Sequence, residues 1–583
     1  MKNVLKFSAV AICLALIGII FCAIKKEEAN LPDLILYNGK IITVNEQFSI
    51  KEAVAIKKDR ITAIGSSGEI KQLAGSSTKK IDLKGKTVIP GLIEAHIHPE
   101  DASVSELSEE IPDVHTIGEL LDWIKKEAEK KSPGEWIVHP KFFPTRLKEM
   151  RQPTKKELDN VAPKNPVFLN GSYGGMINTA AMVKSGITKS TNNPGVLKDP
   201  VTKEPTGIIQ ASAFRLLKGM PSRKLTYEER LDALVNMIKR YNEVGITSFW
   251  SGAGGPEELK TYMDLWKSGR LTARVFQNIS VPFNVPNTPE SEMREKLLSL
   301  GYYTGFGNEW VRVGALKTSM DGGILTGTAY MREPWGNKAK EIFGITDPKY
   351  KGVLKITKEE LIPFVRVANE IGWKVTAHCT GGGGVDIMLS AYEEVNKEKP
   401  NKDRRNSIIH GNFYTPESIE KMKVLGVYAD MQPAWFYKDA DAMQYVLGDE
   451  ILKTFHPNKS LFNAGVIINS GSDHMVKFDS YTSINPYNPF LAMWTTITRK
   501  TERGSVFLPE EAITREQALK TYTINNAYGS FEEDIKGSIE PGKLADLIVI
   551  SDDILTCPED KIRNITVKMT MVGGKVVYGG ESF

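Results

Sequence analysis

The chain has 583 residues, with 75 Lys+Arg against 71 Asp+Glu and a formal net charge of +4; so small a basic excess suits no phosphate-tracking surface, and no nucleic acid partner is expected. Its length exceeds what one hydrophobic core usually fills, so either one large barrel with additions or two to three domains is expected. Cys13, Cys22, Cys379 and Cys557 are the four cysteines; the first two lie in an apolar leader, which leaves at most one disulfide for the folded part, and none are spaced closely enough for a thiolate zinc site.

Lys2 and Lys6 precede an apolar run from Phe7 to Ile24, closed by Lys25, Lys26, Glu27 and Glu28. Residues 1–30 read as an export signal. The run is also long enough to compete as an uncleaved membrane anchor, and Cys22 is a candidate lipidation site, although Phe21 stands where a small residue is usual. All three readings place the body outside the cytoplasm, periplasmic or extracytoplasmic, with membrane attachment through this segment left open.

From Leu34 to Val88, short β-rich runs (LILY, AVAI, TVIP) are separated by turn signals such as Asn38-Gly39 and Lys58-Asp59. The far end carries ADLIVI, VKMTMV and KVVY, the last two joined at Gly573-Gly574. Neither piece has enough strands to be stable alone, so residues 34–88 and 540–583 are expected to pair into one small β-sandwich subdomain. Residues 89–539 are then a single insert.

That insert repeats one pattern. Thr226-x-x-Glu229 opens a helix, Gly245 ends it and ITSFW follows; Thr357-x-x-Glu360, Gly372 and WKVTAH repeat the order; Thr415 with Pro416, Gly426 and VYADMQ repeat it again. Alternating helices and strands make a parallel sheet with covered faces, and the fold class expected is α/β, a TIM-like (β/α)8 barrel. A doubly wound open sheet is the alternative, disfavoured because no Gly-rich dinucleotide or P-loop turn follows a strand. Residues 102–226 break the rhythm with an amphipathic helix at 116–131 and Pro/Gly-rich runs, and read as an inserted cap.

TVIPGLIEAHIHPE is an apolar strand whose last polar positions are His96 and His98, which share one face. An H-x-H is weak alone. VTAHCTGGGG, SIIHGN and VIINSGSDH place His378, His410 and Asp473 at further strand ends, so that four of the eight histidines and a carboxylate gather at one end of successive strands. Singly each reads better as a rim or core polar residue; together they call for a metal.

These segments, with LKTSMDGGILTGTAYM (316–331) and GSIEPGKLADLIVI, resemble the amidohydrolase superfamily, and within it the YtcJ-like group related to N-substituted formamide deformylases, from about Leu34 to Tyr578. The resemblance implies two divalent metal ions, zinc by expectation: His96 and His98 with Asp473 on one, His378 and His410 on the other. It also implies Lys317 as a carboxylated bridge, since a bare ammonium has no lone pair to offer; a salt bridge from Lys317 to Asp321 is the alternative. Asp473 would be the catalytic proton carrier, beside a metal-activated hydroxide that cleaves a carbon–nitrogen amide, N-acyl or formamide bond of a small molecule.

Departures bear on specificity. Tyr173, in NGSYGGMINTAAM, stands where relatives commonly carry a histidine, and with Asp321 and Trp435 it is a candidate substrate contact. The run Gly381 to Gly384 suits either close approach to a ligand or a flexible loop, and Trp435, Phe436 and Tyr437 either a pocket wall or core packing. A hydrolytic deaminase, which in this superfamily typically carries Glu three residues after the third metal histidine, is disfavoured because Gly381 stands there. A lactonase or esterase on the same site, and a non-catalytic binding protein on the same scaffold, are the remaining alternatives; a homodimer is compatible with everything above.

Overall fold

The computed structural model describes residues 31–107, 110–221, 224–336, 338–400 and 402–580; the leader, with Cys13 and Cys22, lies outside them. Eight parallel strands form the central sheet, each paired with the next in chain order: β1 (Leu92–Ile97), β2 (Ile246–Gly254), β3 (Arg274–Ser280), β4 (Val311–Ser319), β5 (Val375–Cys379), β6 (Ser407–His410), β7 (Tyr428–Met431) and β8 (Ile468–Ser470). The seam between β8 and β1 closes just past β8. There Asp473 N donates to His96 O at 2.7 Å and His98 N to His474 O at 2.8 Å, and Ile97 and His474 form a parallel bridge. The sheet is thus a (β/α)8 barrel.

Helices cover its outside, with ends written in the sequence. Tyr227–Glu243 and Lys358–Ile371 begin with capping boxes, Thr226 with Glu229 and Thr357 with Glu360. Gly372 and Gly426 end Lys358–Ile371 and Pro416–Leu425 in the left-handed region. Leu361, Phe364, Val365 and Ala368 pack with Val375, Ala377, Val385 and Met388 in the largest apolar cluster between helices and barrel.

The two chain ends meet in a six-stranded sheet, where Leu547–Ile550 runs antiparallel to Thr87–Pro90 with Val549 opposite Val88. A four-stranded sheet built on Leu34–Tyr37 faces it. Leu36, Val54 and Ile56 of the one and Val88, Leu547, Val549 and Met569 of the other share one core, the packing of a β-sandwich. A buried ion pair, Arg274 Nε to Asp546 Oδ2 at 2.6 Å, joins this sandwich to β3.

Between β1 and β2 the chain builds a further five-stranded sheet, which includes Ile137–His139, Val167–Asn170 and Gly174–Ile177. The helix Ile117–Lys130 lays Ile117, Leu120 and Ile124 on it, against Ile137, Val167 and Leu169. Among the described residues no helix is long and apolar enough to cross a membrane.

Candidate metal centre

A cavity of about 250 Å³ opens at the C-terminal ends of the barrel strands, lined by His96, His98, Lys317, His378, His410 and Asp473 together with Tyr173 and Trp435. The parallel barrel produces this convergence: every strand presents its last inward side chain at the same mouth.

His96 on β1 and His98 just past its end both aim Nε2 at one carboxylate oxygen, Asp473 Oδ1, at 3.3 and 3.4 Å. Their three donor atoms lie within 4.8 Å of one another, close enough to hold one ion. Burial, with the Lys317 ammonium beside it, keeps His96 well below the usual imidazole range. Burial alone would push the Asp473 carboxyl up, but hydrogen bonds from His96 and His98 outweigh it and hold the group well below the usual carboxylate range. Neutral imidazole and ionised carboxylate are the forms that bind a divalent cation.

Lys317, on β4, brings Nζ to 3.2 Å from His96 Nε2; burial pulls it down to about 8, against the pull of Asp473. His378 and His410, on β5 and β6, place their ring centroids 4.6 Å apart. Each is oriented by an oxygen that can only accept. His378 Nε2 donates to Gly322 O at 2.9 Å, which leaves Nδ1 as the nitrogen with a lone pair, 3.2 Å from the Tyr173 hydroxyl. His410 Nδ1 donates to Gln432 Oε1 at 2.8 Å, which leaves Nε2 free. Burial holds His378 well below the usual range and brings His410 down to about 4. Both halves of the site thus present neutral nitrogen donors, and a carboxylate completes the first; this donor set fits divalent metal ions.

Asp321 is not brought into the cavity. It is fully buried, and its oxygens accept from the backbone N–H of Tyr330, Thr380 and Gly381 at 3.0, 3.0 and 2.7 Å, so it ties two loops together beneath His378. Nor is the run Gly381 to Gly384 a free loop or a ligand contact. It starts the helix Gly382–Glu398, and a Cβ on Gly381 would lie 2.2 Å from Tyr330 O, so the glycines accommodate protein. Of the three aromatics, Trp435 lines the cavity while Phe436 is 1% exposed in the core.

Three further residues shape the centre without a motif of their own. Gly252, near the end of β2, leaves room for the imidazoles: a Cβ there would meet His98 Cε1 at 2.5 Å and His96 Cε1 at 3.0 Å. Glu94, two before His96, accepts from Ser472 N at 2.6 Å and so holds the Asp473 turn against β1; burial pushes it up to about 8. Gln432 fixes His410, its own amide nitrogen held by Asp430 O at 2.9 Å. Only Glu94 left a signal in the sequence, a carboxyl at i−2 of a candidate ligand and so on the same strand face.

Residues 79–578 match the model of the amidohydrolase family. The chain is 28% identical over 564 residues to an N-substituted formamide deformylase of Arthrobacter pascens, covering 94% of this chain and 99% of that one. It is 26% identical over 553 residues to the putative amidohydrolase YtcJ of Bacillus subtilis, covering 93% and 99%. Among solved structures it resembles an uncharacterized metal-dependent hydrolase from Pyrococcus horikoshii, with a TM-score of 0.65 at 23% identity over 90% of this chain and 99% of that one. A match over this much of the sequence makes the chain a member of the amidohydrolase family, hydrolases that act on carbon–nitrogen bonds.

Proposed function

We propose that the chain cleaves a non-peptide amide, N-acyl or formamide bond of a small molecule with two divalent metal ions, zinc by the nature of the donors. The observation that carries this reading is the convergence of His96 Nε2 and His98 Nε2 on Asp473 Oδ1 at the mouth of the barrel. These three would hold one ion; His378 through Nδ1 and His410 through Nε2 would hold the second. Lys317, carboxylated on Nζ, would join the two, since a carbamate supplies the oxygens that an ammonium lacks. When bound, such ions lower the pKa of a water molecule and polarise a carbonyl.

The remaining work falls to the chain. Asp473 takes the proton of the attacking water on a carboxylate oxygen and hands it to the departing nitrogen, which would otherwise leave as an amide anion. Gly322 O and Gln432 hold the tautomers of His378 and His410. The formamide option is supported by the name of the Arthrobacter relative, whose coverage spans both chains almost end to end.

Elemental analysis of the purified protein tests the metal reading: about two equivalents are expected, and Lys317→Ala should hold fewer. One equivalent, unchanged by Lys317→Ala, would remove the bridge. Turnover of a panel of formamides, N-acyl amino acids, cyclic amides and lactones tests the bond; activity on lactones alone would overturn the amide assignment.

A further inference from the structure

The five-stranded sheet between β1 and β2 contributes one cation to the cavity. Lys141 follows the strand Ile137–His139, and the parallel pairing of that strand with Val167–Asn170 brings it beside the turn that carries Ser172. Phe142 N donates to Asn170 O at 2.7 Å and Gly171 N to Gly174 O at 2.8 Å, so backbone pairing fixes both segments. Ser172 stands in the left-handed region at φ 69, its N–H held by Asn170 Oδ1 at 2.8 Å; a non-glycine residue keeps such a conformation only where its surroundings impose it.

Lys141 Nζ donates to Ser172 Oγ, and both residues line the cavity with the imidazoles. That hydroxyl is neutral, and among the described residues no ion pair joins Lys141 to a carboxylate. Burial works against the ammonium, and the carboxylates of Asp473 and Asp101 favour its charge without closing an ion pair on it. Phe143, Leu325 and Trp435 supply apolar wall to the same cavity.

We propose that Lys141 and Ser172 bind an anionic group of the substrate, so that the substrate is an N-acylated compound carrying a carboxylate near the scissile amide and an apolar substituent. This rests on the reading of the centre as an amide hydrolase. Water adds its hydroxyl to the acyl carbon and its proton to the nitrogen as the C–N bond breaks, which releases the acyl group as an acid and the remainder as an amine. The carboxylate at Lys141 takes no part in the bond changes. Asp101 lines the same cavity, so a preference for cationic amides is the competing outcome.

Three probes separate these: N-formylphenylalanine, N-formylphenylalaninamide, and the mono-N-formyl derivative of a diamine of similar size. The wild-type protein should favour the acid over the neutral amide by about 10²-fold in kcat/KM, the worth of a charge-assisted hydrogen bond. Lys141→Met should erase that preference by lowering turnover of the acid alone, Lys141→Arg should keep most of it, and Ser172→Ala should weaken it. Lys141→Met should also leave the thermal midpoint unchanged or raise it, because it removes a charge that burial disfavours and that no ion pair holds. Equal rates on acid and amide, an equal loss on both in Lys141→Met, or preference for the diamine derivative would overturn the proposal. If no probe is turned over, thermal shift still decides: stabilisation by N-formylphenylalanine, absent with its amide and lost in Lys141→Met, sustains anion binding while the hydrolase reading fails. Absence of that stabilisation in the wild-type protein overturns it.

Discussion

The two halves of the centre are assembled by different means. His96, His98 and Asp473 meet at the barrel seam, where backbone hydrogen bonds from Asp473 N to His96 O and from His98 N to His474 O put these candidate ligands into register. His378 and His410 are two imidazoles on neighbouring strands, each aimed by an accepting oxygen outside its own strand, Gly322 O and Gln432 Oε1, with the Tyr173 hydroxyl also meeting Nδ1 of His378. The first half can be moved only by disturbing the seam or crowding it. The second half depends on single accepting atoms, so it should loosen before the first.

The sharpest test removes chemistry and leaves the seam intact. Asp473→Asn keeps a side chain of the same shape, so the backbone pairing and metal content should survive while kcat falls by about 10³-fold, the worth of a positioned proton carrier. Metal analysis alongside steady-state kinetics checks it, and full activity would remove Asp473 from that role. The next test crowds the first half. In Gly252→Ala the new methyl would stand 2.5 Å from His98 Cε1, so the imidazole must turn away. A ligand misplaced by about an ångström should cost about 10²-fold in kcat, with one metal equivalent weakened and the other unaffected. Loss of both equivalents together would mean that the halves are not separable.

Much of this was legible in the sequence because it rests on local geometry. The i, i+2 spacing of His96 and His98 fixes a shared face whatever surrounds it, and Thr357-x-x-Glu360 with Gly372 specifies both ends of one helix. The Gly573-Gly574 hairpin was equally readable, with φ of 55 and 72 as a tight turn requires. What was not legible depends on neighbours far away in the chain. Gly252 matters only because β2 lies beside His98, and Gln432 only because β7 lies beside β6. Lys141, in HPKFFPTR, reads as an ordinary surface lysine until the five-stranded sheet between β1 and β2 turns it inward. Asp321 shows the opposite error: it lies four residues from Lys317, yet its oxygens are spent on the backbone of Tyr330, Thr380 and Gly381.

Gln432→Leu is the mildest test and the most specific for the second half. The amide does two things at once: Oε1 accepts from His410 Nδ1, and Nε2 donates to Asp430 O. Leucine fills much the same space but accepts nothing, so His410 is free to place its proton on Nε2, the nitrogen that should face an ion. Metal affinity at this half should fall by about 10-fold, the lower range for loss of a group that orients a ligand, while the seam half keeps its ion. Gln432→Glu preserves the acceptor for His410 but not the donor to Asp430 O, and should restore part of the loss, which separates the orienting role from packing. Competition against a chelator, followed for each equivalent in turn, measures both variants; equal weakening of the two equivalents in Gln432→Leu would show the centre to be one cooperative unit rather than two halves.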